Sequence, residues 1–200
     1  MEENIYYHIH KISQDVDDDK WHEGATISIG NEHNLFYKNS TEFEAKFSRY
    51  EDKNNVPWSN AYKYVLAKNL LNFDRAYELL ECANNIISEY QILLRENVYE
   101  EIRRDYFNSL PSRTSCIWLC KEKQLKFWQE QLKEDNYKIF MIEVFGKTFK
   151  SNNNMIVAPS DSYKQMREMA KKYWGYKEKT EKEDDEYLYV GKIKVIKELL

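Results

Sequence analysis

Hydrophobic positions along this chain change period several times, and each change marks an element. Ile5 to Ile12, IYYHIHKI, alternates with a period of two: His8, His10 and Ile12 share one face, and Tyr7, Ile9 and Lys11 share the other. This predicts a strand with an unusual polar face. The acidic run DVDDDKWHEG reads as a turn, ATISIG as a second alternating strand, and Asn31 to Asn39 as a loop. Thr41 and Glu44 have capping-box spacing, with Phe43 and Phe47 at helical intervals, so a helix is predicted to open at Thr41. Pro57 starts a second helix, in which Trp58, Tyr62, Val65, Leu66 and Leu70 lie three and four apart. A third begins near Phe73, takes Tyr77, Leu80, Ile87 and Tyr90 as its apolar stripe, and runs through RENVYEEIRRDYF to about Phe107.

After SLPSR the pattern shifts. SCIWLC is nearly continuously apolar and suits a buried strand. Lys121 to Lys133 returns to helical spacing through Leu125, Trp128 and Leu132, KIFMIEVFGKTF reads as a strand, and Met155 to Val157 as a short one. Ser160 with Asp161 predicts the start of a last helix through Tyr173, and Thr180 to Asp185 is a charged loop. The closing EYLYVGKIKVIKEL alternates on both sides of Gly191, as in a strand with a bulge or bend. There is no internal repeat and no Pro-, Gly- or Ser-rich linker. The order predicts an α+β fold in one domain over residues 1–200, with a helical segment over about 41–107.

Composition narrows the function. Hydrophobic residues at 42% and charged residues at 32% support a packed core and exclude a wholly disordered chain. A net charge of -4 provides no global basic field for a nucleic-acid backbone, so any such binding must be local. Five glycines, with no GxGxxG and no GxxxxGK[ST], exclude dinucleotide-binding and P-loop folds, and HExxH and GxSxG are absent. Aromatic content of 15% instead provides stacking surfaces. Cys82, Cys116 and Cys120 form no CxxC pair and read as buried thiols of a reducing compartment. With no basic leader and no apolar run of membrane-spanning length, the sequence reads as cytoplasmic and membrane-free.

Candidate chemistry is sparse. His8 and His10 side by side on one strand suit a metal only if His22, His33 or Asp17 to Asp19 complete the set; otherwise they are a core and a solvent histidine. Ser112, Arg113 and Ser115 either reach a ligand or shape the turn before the apolar strand. Arg95, Arg103, Arg104 and Arg113, with Lys121, Lys123 and Lys126, either form a phosphate-binding surface or line a solvated helix face.

Three segments, YYHIHK, SCIWLCKEKQLKFW and DDEYLYVGKIKVIKEL, in that order, resemble the ADP-ribosyltransferase superfamily, in its branch with a His, an aromatic and a Glu in the nicotinamide pocket. The PSR-S-IWL and E-L-G-I-V pattern is similar to that of a bacterial group within it. The family's His falls on His8, its aromatics on Trp118 and Trp128, and its catalytic Glu on Glu186. Ile9 and His10 stand where Gly and Ser or Thr are usual, Trp118 replaces Tyr, and the stretch between Thr41 and Phe107 has no counterpart in the minimal fold.

The resemblance implies a split mixed β-sheet core and a mono-ADP-ribosyltransferase. Such an enzyme cleaves NAD+ at the nicotinamide–ribose bond and transfers ADP-ribose to a protein or nucleic-acid acceptor, as a toxin, an anti-phage effector or a regulator. A toxin of this type would be matched by a neutralising antitoxin partner. Glu186 would stabilise the oxocarbenium-like state from the ribose 2′-hydroxyl, and Trp118 and Trp128 would flank the nicotinamide. His8 would bind a ribose hydroxyl, the backbone of Ile9 the carboxamide, and His10 and Ser115 would add polar contacts. The alternatives are a catalytically silent NAD-, nucleotide- or partner-binding domain of the same fold, and a metal-dependent hydrolase built on His8 and His10.

Overall fold

The structure is a computed structural model that describes residues 4–12, 18–48, 55–68, 72–132, 136–156 and 162–200. Its elements are β1 (Ile5–Lys11), β2 (Thr26–Ile29), α1 (Leu35–Glu42), β3 (Lys46–Ser48), β4 (Asn55–Pro57), α2 (Trp58–Ala67), α3 (Phe73–Tyr106), β5 (Ile117–Leu119), α4 (Leu125–Gln131), β6 (Tyr137–Val144), β7 (Phe149–Asn152), α5 (Tyr163–Trp174), β8 (Asp185–Tyr189) and β9 (Gly191–Glu198). The fold is α+β, with antiparallel strands in the orders β1-β6-β9-β2 and β5-β8-β7 and a separate β3-β4 pair.

The larger sheets meet at two joints. The Tyr7 and Cys120 backbones form an antiparallel bridge that lays β1 beside the end of β5. The second joint is Gly191, where the final alternating run breaks into β8 in one sheet and β9 in the other. Gly191 has φ 138, and a Cβ there would lie 2.6 Å from the Tyr189 hydroxyl, so the bend requires glycine.

One core fills the space between the sheets with Tyr6, Trp21, Phe140, Ile193, Tyr187 and Tyr189 among its members. The other lies where α3 and α5 cover the opposite face of β8, with Val98, Tyr99, Ile102, Met166, Tyr173, Trp174 and Leu188. A small third cluster joins Phe47, Ala61 and Val65 to Leu79 and Cys82 of α3. Cys116 and Cys120 are buried thiols and Cys82 is only partly so.

Several local expectations are corrected. Asn31 to Asn39 is not a loop throughout, because α1 starts at Leu35 under an Asn34 cap whose side chain accepts from the Tyr37 N–H at 3.0 Å. Thr41 therefore lies in the last turn of α1, where its hydroxyl donates to the Lys38 carbonyl, and Phe47 is in β3. KIFMIEVFGKTF divides into β6 and the start of β7. Asn153–Met155 is a 3-10 turn rather than part of a strand, and Val157 lies outside the described residues. The last helix is capped by Ser162 in a capping box with Gln165; Ser160 and Asp161 lie outside the described residues, as do Asp17, Leu70 and Lys133.

The third helix runs unbroken from Phe73 to Tyr106, but the stripe assigned to its core face is exposed. It buries Arg75, Ile86, Glu96, Val98, Tyr99 and Ile102 instead, because the packing elements approach from other sides.

Candidate functional site

The turn before β5 organises the site. Ser112 accepts backbone bonds from Ser115 and Cys116, and the Asn34 amide donates to the Arg113 carbonyl at 2.7 Å and the Cys116 carbonyl at 3.2 Å. The cap of α1 thus also pins this turn, and Ser115 serves it through its backbone N–H.

Arg113 is directed inward from the turn into the space between β8, α3 and α5. Its Nη1 donates to Glu186 Oε1 at 2.7 Å and to Tyr173 Oη at 2.6 Å, and its Nε donates to Glu96 Oε2 at 2.9 Å. Tyr173 Oη donates in turn to Glu186 Oε1. The guanidinium lies 4.9 Å from the Tyr173 ring centroid and 5.6 Å from that of Trp118. Glu96 also takes Arg95, so two carboxylates meet two guanidiniums. Burial opposes charge on Glu96, but Arg113 and Arg95 outweigh it and hold the carboxyl below its usual range. Burial, with Glu186 adding to it against Arg113, pushes the Tyr173 phenol well up, so it is a neutral donor.

Both hydrogen bonds to Glu186 fall on Oε1, and among the described residues Oε2 makes none. Glu186 is buried, and Oε2 keeps lone pairs that no described residue fills.

Strand alternation decides which predicted residues share this environment. Trp118 pairs with Leu188 in register, and Glu186 lies two positions from Leu188, so the side chains of Trp118 and Glu186 are on one face of the sheet. Tyr7, bridged to Cys120, and Ile9 belong to that face by the same rule. Trp128 on α4 donates its Nε1–H to the Asp185 carbonyl at 3.1 Å, beside Glu186 in the chain. The two indoles have different neighbours: Trp118 meets Phe36 edge-on, and Trp128 meets Phe127.

His8 and His10 are on the other face. Their rings lie 4.9 and 4.7 Å from Trp21, in the core between the sheets, and His8 Nδ1 donates to the Trp118 carbonyl at 3.0 Å. Burial disfavours the imidazolium more than that bond favours it, so His8 is brought down to about 3 and is neutral. The structure therefore brings Trp118 and Glu186 to one face of β8, with Trp128 tied to the backbone at its start, and it places His8 and His10 on the other face. Among the described residues no three His, Cys, Asp or Glu side chains are placed to hold a metal ion, and His8 spends Nδ1 on a backbone carbonyl.

The basic run is likewise dispersed rather than gathered into a phosphate-binding surface. Arg103 pairs with Glu100, Arg113 is buried, Lys121 donates to the Ile5 carbonyl, and Lys123 pairs with Glu181. Glu96 and Tyr173 escape sequence reading altogether. Each is a polar group on the buried side of a helix, and only the position of Glu96 three residues before the core Tyr99 hints at its role.

Fold and site together define an α+β protein whose central polar feature is a buried Arg–Glu–Tyr cluster at the start of a sheet strand. A family model described as a protein of unknown function, DUF2441, matches residues 6–200, and the chain belongs to that family. No curated protein matches it.

Proposed function

We propose that this protein cleaves NAD+ at the nicotinamide–ribose bond and transfers ADP-ribose to a protein or nucleic-acid acceptor, on a fold of the ADP-ribosyltransferase type. The observation that carries this reading is Glu186, held at the start of β8 through Oε1 by Arg113 and Tyr173, with Oε2 making no hydrogen bond among the described residues. The strands bearing the three motifs also lie side by side, with β1 bridged to the end of β5 and β5 paired with β8.

In this reading the substrate approaches the face of Trp118, Tyr7 and Ile9. Oε2 of Glu186 accepts the ribose 2′-hydroxyl, and its charge offsets the cation that grows as the C1′–N1 bond breaks and the electron pair leaves with nicotinamide. The acceptor nucleophile then bonds to C1′ and gives up its proton. His8 is a positioning residue here, fixing the Trp118 backbone from the far face, and His10 has no part in the pocket. Trp118 supplies the stacking surface, and Trp128 anchors the Asp185 backbone.

A second reading, a catalytically silent domain of the same fold, is favoured by one feature: Arg113 neutralises much of the charge that Glu186 would offer. Nicotinamide release from NAD+ by the wild type and by Glu186→Gln, with and without cell extract as acceptor, separates the two. Catalysis predicts release that falls on the order of 10²- to 10³-fold in the variant. NAD+ binding without release in either protein establishes a silent nucleotide-binding domain, and neither binding nor release refutes catalysis in favour of a silent partner-binding one.

A further inference from the structure

The exposed stripe of α3 lies away from the Glu186 site and has a regular geometry. Phe73, Leu80, Ile87 and Leu94 recur every seven residues and are 86%, 71%, 56% and 43% exposed, with Tyr77, also exposed, beside them. A seven-residue repeat on an α-helix drifts by about 20° per repeat, so a partner stays on it only by winding round it with a left-handed twist, as a second helix does. Over the three repeats from Phe73 to Leu94 the drift reaches about 60°, which a straight strand or a flat surface does not follow.

The border of the stripe selects the kind of helix. Asp74 and Glu81, seven residues apart and both exposed, follow Phe73 and Leu80 in the chain and line one edge of the stripe. Within Phe73–Leu94 the only basic side chain is Arg75, which is buried and paired with Glu78. A second copy of α3 would set this acidic border against itself, and an anionic bilayer would be repelled by it.

We propose that this face of α3 docks an amphipathic helix of another protein, whose apolar heptad seam is bordered by lysine or arginine. Seam contacts supply the attraction, and the acidic border supplies orientation and selection among partners.

The test uses the full chain and a synthetic heptad-repeat helix with leucine in the seam and lysine at its borders, beside a counterpart with glutamate borders. The wild type is expected to bind the lysine-bordered helix at least about tenfold more tightly than the glutamate-bordered one, with affinity falling as salt rises. Leu80→Lys with Ile87→Lys should abolish binding while leaving the circular dichroism spectrum unchanged, because both residues are exposed. Asp74→Lys with Glu81→Lys keeps the seam and should transfer the preference to the glutamate-bordered helix. Equal binding by wild type and the seam variant, no preference between the peptides, or no binding at all would overturn the proposal. So would concentration-dependent dimerisation lost in the seam variant, or capture of anionic vesicles in preference to the peptide.

Discussion

Lowering the pH from 8 to 5.5 should destabilise this protein through His8. Its ring is packed against Trp21 with Nδ1 committed to the Trp118 carbonyl, and burial brings it from an ordinary value of 6.5 down to about 3. Because the folded-state value lies below the unfolded one, the unfolded chain takes up the proton first as pH falls. The stabilisation is therefore complete above 6.5 and drains away between 6.5 and about 3. At pH 5.5 the unfolded histidine is about ten-elevenths protonated and the folded one hardly at all, which amounts to RT ln 11, or about 1.4 kcal/mol. Glu96 does not contribute in this window, since Arg113 and Arg95 hold its carboxyl below its ordinary 4.5. Urea denaturation at the two pH values, for wild type and His8→Phe, measures the effect. Phenylalanine preserves the stacking on Trp21 and removes the titration. The variant should be less stable at pH 8, having lost the bond to Trp118, and the gap should close at pH 5.5, because its stability should change by under about 0.5 kcal/mol where the wild type loses about 1.4. An equal pH dependence in the two proteins would refute the assignment of His8 as a neutral core residue.

Three other perturbations test the frame around the site. Arg113→Met removes the cation between two buried carboxylates and should cost about 3–5 kcal/mol in urea denaturation; a loss under about 1 kcal/mol would show that the cluster is not a structural centre. Gly191→Ala forces a Cβ to within 2.6 Å of the Tyr189 hydroxyl at φ 138, and a penalty of about 1–3 kcal/mol should lower Tm by several degrees. An unchanged Tm would mean that the joint between the sheets is not where the strain lies. Asn34→Ala removes the α1 cap and both amide bonds to the 113–116 turn, for about 1–2 kcal/mol, whereas Asn34→Ser keeps a capping oxygen and should recover part of it. Hydrogen exchange that quickens in α1 but not at Cys116 would contradict the idea that one residue ties both together.

Local patterns identified most elements because their causes are local. Alternation in IYYHIHKI and the closing run reports faces of a pleated backbone, the continuous apolar run SCIWLC reports a strand buried on both faces, and Pro57 sets a helix start by its own dihedral. The misplaced start of α1 has an equally plain cause: Asn34 and Thr41 are both competent caps, and Asn34 prevailed because its amide also finds the Arg113 and Cys116 carbonyls, 79 and 82 positions further along. The stripe on α3 read as core because periodicity reveals that a helix has an apolar face and is silent on what meets it.

By itself the sequence determined the α+β class, the strand faces and the long helix through Tyr106. Only the tertiary structure decided that Glu186 and Trp118 share a face while His8 lies behind it, and that Glu96, Arg113 and Tyr173 close around the carboxylate. The physical reason is that alternation sets which residues of one strand go together, whereas the match of faces between strands depends on register, and register is set by pairings such as Tyr7 with Cys120 and Trp118 with Leu188 that span a hundred residues or about seventy.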